Sequence, residues 1–203
     1  MTARPDVTRR HAERRELSRR RILDAARELL EDRPWSQVGI EDVTQRAQLT
    51  RTAFYRHFDD GQALLLALLD DVGVGLDLIA DPWEHGEGEP TAALRAALRE
   101  LVRVFHEHGR LLRAIADAAT QDPDVAAMYA ELGARLSASA AARIAIEVEE
   151  GRSRVSDPQE VGAALVWMNE RYLLDRFGQA PLGDPERAAD ALTEVWLRAV
   201  YDA

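Results

Sequence analysis

Cysteine is absent from this 203-residue chain. That excludes disulfides, thiolate metal sites and cysteine nucleophiles. Lysine is absent as well, and all 26 basic residues are arginine. This bias points to no particular function. No apolar run approaches the roughly 20 residues of a membrane-spanning helix. The N-terminus carries arginine but no apolar stretch of the kind a secretory signal needs. A soluble cytoplasmic protein with no membrane partner is therefore expected. Strand signals are few, and neither an internal repeat nor a low-complexity tract is present.

Catalytic constellations are also missing. His106 and His108 flank Glu107, but positions i and i+2 point to opposite sides of a helix and make no shared metal site. Gly73-Val74-Gly75 lies in a helical stretch, lacks a third glycine and follows no strand, so it is not a dinucleotide loop. Acidic pairs such as Glu149-Glu150 read as solvated helix ends. No hydroxyl has an evident base beside it. The chain is expected not to be an enzyme and to need no cofactor or metal.

What is present is helix. Hydrophobic residues make up 46% of the chain, enough to build a core. The length allows one large domain or two small ones. Ala, Leu, Glu and Arg dominate, and apolar spacing is helical throughout. An all-α fold follows, with helices near residues 10–31, 39–47, 50–57, 61–80, 90–108, 110–120, 123–150, 158–178 and 184–202. Breaks are expected at Gly109, at the polar Pro/Gly loop from Asp81 to Pro90, at Gly151 to Pro158 and at Gly178 to Pro185. Asp122, Asp157 and Asp184 each precede a proline, which is an N-cap followed by a proline at the first helical position.

The net charge of −10 would argue against a nucleic-acid partner, but its distribution reverses that impression. Residues 1–60 carry 13 arginines against 11 acids, a net of +2, whereas the remainder carries 13 against 25, a net of −12. Residues 1–21 alone hold 8 arginines against 3 acids. A basic end on an acidic body suits a protein that docks one end on phosphate. The plainer alternative is a solvated helix face with i,i+4 pairs such as Glu16 with Arg20.

Within that basic end, the stretch Leu49 to Phe58 is the most informative. Thr50 is a good N-cap, because its hydroxyl can accept from an unpaired first-turn amide. Phe54 and Phe58, at i and i+4, share a face that can anchor a short helix. Arg51, Thr52, Tyr55 and Arg56 project elsewhere and can reach phosphate oxygens and base edges. Upstream, Ile22, Leu23, Ala26, Leu29 and Leu30 make an amphipathic first helix. Ile40, Val43 and Ala47 are the apolar positions of a short second one. Two short helices joined by a tight turn at Gln48-Leu49 and braced by a longer helix form a helix-turn-helix, whose second helix enters the major groove.

In these ordered elements, from Ile22 to Leu30, Val43 to Ala47, Thr50 to Phe58 and the apolar run Ala63 to Leu69, the chain resembles the N-terminal domain of the TetR family of bacterial repressors. Met168-Asn169-Glu170-Arg171, Val195-Trp196 and Tyr201 resemble the EthR-like branch. The resemblance implies a helix-turn-helix DNA-binding domain over 1–60, with residues 1–9 as a flexible basic arm. It implies a ligand-binding and dimerisation domain over 61–203. DNA contacts are implied for Thr50, Arg51, Thr52, Tyr55, Arg56 and His57, although for His57 a capping or packing role stands beside the phosphate role. Thr44 is a further phosphate candidate, and Arg19 to Arg21 can reach the backbone or the adjacent minor groove. Two departures matter. Gln48 stands where the family turn usually carries Gly, and strain follows if that position needs positive φ. Asp59-Asp60 stands near where a family lysine holds phosphate, and would repel DNA if it faced it.

In the C-terminal body, Val161 to Leu174 is apolar most of the way round, so it is expected to be buried on several sides. The family's equivalent pair, here near 158–178 and 184–202, forms a homodimer interface that spaces two heads on a pseudo-palindromic double-stranded operator. Asn169 is the polar residue inside the apolar stretch. A buried amide is either bonded within the protein or available to a ligand. The resemblance implies that Asn169 and Trp196 line a channel for a small, largely apolar effector. Phe105, Leu112, Leu136, Ala140 and Val166 are candidate walls, each with ordinary core packing as the alternative. The small-residue run Ser137 to Ala142 leaves room for a ligand or lets helices approach closely. A repressor released by its effector is the expected function. The alternative is a small-molecule binding protein without productive DNA contact.

Overall fold

The computed structural model describes residues 5–86 and 88–201. Among them the chain forms eight α-helices, one 3-10 turn at Trp35–Gln37 and no strand. The helices are α1 (Pro5–Asp32), α2 (Ile40–Arg46), α3 (Arg51–Phe54), α4 (Gly61–Glu84), α5 (Pro90–Ala119), α6 (Pro123–Glu149), α7 (Pro158–Phe177) and α8 (Pro185–Tyr201). No helix among the described residues is long and apolar enough to cross a membrane. The chain divides into two compact units, Met1–Leu69 and Asp70–Ala203, with α4 running through the division.

In the first unit, the apolar stripe Ile22, Leu23, Ala26, Leu29 and Leu30 of α1 is buried together with Val43, Ala47, Phe54, Phe58, Leu64 and Leu65. Gly39 opens α2 in a capping box, its amide donating to the Asp42 carboxylate at 2.9 Å. Two ion pairs tie α1 and its following loop to α2, Arg46 with Glu28 and Arg33 with Asp42. Asp60 caps α4 by accepting from the Ala63 amide at 2.8 Å. Gln48 has φ +53°, in the left-handed region that favours glycine.

The second unit packs α5 to α8 around one apolar cluster that includes Leu94, Leu98, Phe105, Ile144, Leu173, Phe177, Leu192 and Trp196. Asp122, Asp157 and Asp184 cap α6, α7 and α8 through their carboxylates, as the Asp-Pro pattern predicts. Helices α6 and α7 touch closely. A Cβ on Gly162 would lie 2.8 Å from the Ala141 amide nitrogen, and one on Gly133 would lie 2.5 Å from the Trp167 ring. At Ala141, then, the small-residue run serves close helix approach. Tyr129 on α6 also donates to Glu170 on α7 at 2.5 Å.

Glu147 on α6 is fully buried, with its carboxylate held between Arg143 and Arg152. Its backbone carbonyl accepts from the amides of Arg152 and Ser153 at 2.9 and 3.0 Å. The chain reaches that position because Gly151 takes φ +74° and reverses the backbone after the helix. The pair thus locks the end of α6 onto its own loop.

Four expectations are corrected. The break at Gly109 does not exist, because α5 is continuous. Gly109 is small for a packing reason, since a Cβ there would lie 2.4 Å from the Phe177 carbonyl oxygen. The loop expected from Asp81 begins later, because α4 continues through Pro82 to Glu84. Trp83 holds that last turn by being buried. The recognition helix expected over 50–57 has four α-helical residues, after which the backbone tightens into 3-10-type turns (His57 amide to Phe54 carbonyl, 2.8 Å). Of the flexible arm expected over 1–9, residues 1–4 lie outside the described residues, and Pro5 onward belongs to α1.

Two substitutions probe these features. Gln48→Gly relieves the left-handed strain at some cost in unfolded-chain entropy, and is expected to raise the unfolding free energy by about 0.5–1 kcal/mol in urea titrations. A loss instead would show that the Gln48 side chain holds the turn. Glu147→Ala leaves Arg143 buried without a counter-charge and is expected to cost roughly 3–5 kcal/mol by the same measurement. A cost below about 1 kcal/mol would mean that the arginines find other partners.

Candidate nucleic-acid interface and effector site

The turn between α2 and α3 decides what the first unit presents. Left-handed Gln48 lets the Leu49 amide return to the Thr44 carbonyl at 2.9 Å. Arg21, reaching across from α1, donates to the carbonyls of Ala47 and Gln48 at 2.5 and 3.4 Å. These carbonyls end α2 without further helical partners, so the guanidinium satisfies them and complements the helix C-terminus. Arg21 is therefore a brace for the turn. Its role was not legible in the sequence, because 26 residues separate it from Ala47.

Thr50 caps α3 as expected, its hydroxyl accepting from the Ala53 amide at 3.2 Å. Phe54 is fully buried and its ring centroid lies 5.6 Å from that of Phe58. With that face inward, Arg51, Thr52, Tyr55 and Arg56 are all exposed. The Arg51 guanidinium donates to the Tyr55 hydroxyl at 3.4 Å and lies 5.9 Å from its ring centroid. The two side chains thus present one joint surface. Tyr55 in turn stands edge-on to Phe54, with centroids 5.5 Å apart. Burial holds His57 below its ordinary value, and the nearby charges of Arg15, Arg19 and Arg56 push the same way against Glu16. Thr44 is placed differently from these residues. It is buried and its hydroxyl donates to the Glu41 carbonyl at 3.0 Å. Of the other α1 arginines singled out, Arg20 pairs with Glu16 and Arg19 stacks over the Phe58 ring at 5.5 Å.

In the second unit, Asn169 on α7 is buried and bonded. The Trp196 indole donates to its side-chain oxygen at 3.0 Å. Trp196 meets Trp83 edge-to-face at 5.5 Å between centroids and 85° between planes. Trp83 donates to the Tyr201 hydroxyl at 3.2 Å. One connected chain of side chains therefore runs from Asn169 on α7 through Trp196 on α8 to Trp83 at the end of α4. Phe105, Leu112, Ala140, Val166 and Trp196 share one apolar cluster. Leu136 is half-buried and stands outside that cluster among the described residues. Trp83 was missed because Pro82 and the glycines that follow mark a loop in the sequence. The signal available was the tryptophan itself, a large apolar side chain in a polar tract. On the other side of α7 and α8, Ala164, Trp167, Ala191 and Val195 are exposed, Trp167 by 41% and Val195 by 42%.

Comparison with known proteins agrees with both units. Residues 22–68 match the family described as bacterial regulatory proteins, tetR family, and residues 94–202 match the C-terminal domain of the transcriptional regulator EthR. The HTH-type transcriptional regulator EthR of Mycobacterium tuberculosis is 30% identical over 184 residues, covering 89% of this chain and 85% of that relative. EthR of Mycolicibacterium smegmatis is 28% identical over 183 residues, covering 89% and 84%. Among solved structures, GusR of Salmonella enterica superposes with a TM-score of 0.75 at 19% identity, covering 90% of this chain and 95% of that one. SmeT, the repressor of the Stenotrophomonas maltophilia efflux pump SmeDEF, gives 0.72 at 20% identity, covering 88% of each. The chain belongs to the TetR family of bacterial transcriptional regulators, which are DNA-binding proteins and not enzymes, with a C-terminal domain of the EthR type.

Proposed function

We propose that this protein is a repressor that binds a pseudo-palindromic operator as a homodimer and releases it when a small, largely apolar molecule enters the second unit. One observation carries the reading. The burial of Phe54 and Phe58 leaves Arg51, Thr52, Tyr55 and Arg56 exposed together beside the Thr50 cap. Arg51 has the fork geometry for a guanine edge, and Thr50, Thr52, Tyr55, Arg56 and His57 supply hydroxyl and nitrogen donors for phosphate. Thr44 is left out of this set, because its hydroxyl is already committed inside. Of the two departures from the family pattern, Gln48 and Asp60 have structural roles, while Asp59 is exposed. Gln48 adopts the left-handed conformation that the turn needs, and Asp60 serves as the cap of α4.

The effector would be held by the amide of Asn169, with Phe105, Leu112, Ala140 and Val166 as apolar walls. A ligand that takes the Asn169 oxygen competes with the Trp196 indole for it. Release of Trp196 loosens its edge contact with Trp83, and with it the last turn of α4, the helix common to both units. Operator and effector affinities are then linked by one coupling free energy. The dimer would form through the exposed face of α7 and α8 that carries Trp167 and Val195. An operator read by two such heads has two-fold symmetry. The description of SmeT as a repressor favours repression here too.

Two measurements test the reading. Genomic fragments captured on purified protein are expected to share one short inverted repeat, with enrichment abolished by Arg51→Ala/Tyr55→Ala. Folded, dimeric protein that enriches no sequence would instead point to a small-molecule binder without DNA contact. In a thermal-shift screen of apolar compounds, a true effector is expected to stabilise the wild type and release the repeat. It should lose at least tenfold in affinity, about 1.4 kcal/mol, on Asn169→Leu. Compounds that release the repeat from both proteins equally would remove Asn169 from the site.

A further inference from the structure

The buried stripe of α1 changes character as it runs toward the N-terminus. Leu29, Ala26 and Ile22 recur at helical spacing and are buried. The next two positions of the same stripe are Arg19 and Arg15. Here the helix has passed the apolar core. Residues 12–17 are all exposed, and even Leu17 is 61% exposed. Packing therefore does not account for these turns, and they lie before residue 22, where the match to the family segment begins.

Arg19 and Arg15 nonetheless have a definite neighbourhood. Arg19 is half-buried with its guanidinium 5.5 Å above the Phe58 ring, so its position is set by the same ring that anchors α3. A stacked guanidinium is pre-organised, and its donors remain free at the edge. Arg15 lies one turn away on the same face and is exposed. Arg15, Arg19 and Arg56 all approach His57 closely enough that their charges disfavour its protonation. None of the three arginines is in an ion pair among the described residues. Glu16 is the acid facing this group, and it is already paired with Arg20 at 3.2 Å. Three like charges around an imidazole repel one another in the free protein. An anion set between them removes that cost and accepts several charge-assisted hydrogen bonds.

We propose that Arg15 and Arg19 of α1, with Arg56 and His57, form a clamp for the sugar–phosphate backbone of double-stranded DNA, flanking the base pairs read from α3. This rests on the DNA-reading function proposed above and extends it to a helical segment outside the matched family region. The clamp grips phosphate and carries no base specificity. It adds counterion release, and so a steeper salt dependence, to the interface.

The test is the salt dependence of binding. Affinity is measured between 50 and 200 mM salt on the selected inverted repeat and on a duplex of arbitrary sequence. Wild type is compared with Arg15→Gln and with Arg15→Gln/Arg19→Gln. Arg15 is exposed, so the single variant tests the clamp without disturbing packing, and a thermal melt monitors the double one. The slope of log affinity against log salt is expected to flatten by about 1 for the single variant and up to about 2 for the double one. That amounts to a roughly fourfold to sixteenfold smaller loss across this salt range, on both duplexes. The preferred sequence should not change. Unchanged slopes on both duplexes overturn the clamp. A flattened slope with an altered preferred sequence also overturns it, because the contact is then to bases. If the wild type selects no sequence, the base-reading function fails, and the slopes on the arbitrary duplex alone decide the clamp.

Discussion

The burial of Phe54 and Phe58 is the constraint on which the first unit turns. A four-residue helix has almost no stability of its own, since nucleating a helix fixes several residues for one hydrogen bond. α3 exists because two phenyl rings at i and i+4 are removed from water, each worth roughly 1.5–3 kcal/mol. That burial decides which way the remaining side chains face. Arg51, Thr52, Tyr55 and Arg56 are outward because Phe54 and Phe58 are inward. The same phenyl ring of Phe58 also seats Arg19, so the helix that precedes the motif and the helix that reads are tied to one apolar anchor.

For the anchor to be reached, the chain must reverse sharply after α2. The reversal places a non-glycine residue, Gln48, in the left-handed region and leaves the carbonyls at the end of α2 in need of partners. Arg21 supplies them from a distant part of the sequence. A strained backbone and a long-range brace occur together here, and this is how such strain persists: the surroundings over-determine the conformation.

The second unit solves a different problem, that of keeping polar groups inside a helical core. The Trp196 indole donates to the Asn169 side-chain oxygen and the Trp83 indole to the Tyr201 hydroxyl, so both indole N–H groups are satisfied. Glu147 is enclosed by two flanking arginines and by the loop that Gly151 turns back over it. Close contact of α6 with α7 depends on Gly133 and Gly162, where any side chain would collide with Trp167 or with the backbone at Ala141. Buried hydrogen bonds of this kind are exchangeable in a way that apolar packing is not. In the function proposed above, the Asn169–Trp196 bond is the point at which a ligand would compete.

By itself the sequence determined the all-helical architecture, the order of the helix-turn-helix, the aspartate caps before three prolines and the inward position of Asn169. Each of these is local. Apolar periodicity, cap chemistry and i,i+4 spacing act within a few residues, and so can be read along the chain. Tertiary structure decided the rest. It carried α5 through Gly109 and α4 through Pro82, because Phe177 and the buried Trp83 outweigh the local tendency of glycine and proline to end a helix. It shortened α3 to four residues, committed Arg21 to the turn and Thr44 to the Glu41 carbonyl, and brought Trp83, Trp196 and Asn169 into one chain. These outcomes depend on which distant side chain comes to lie within a few ångströms, and no local pattern along the sequence carries that information.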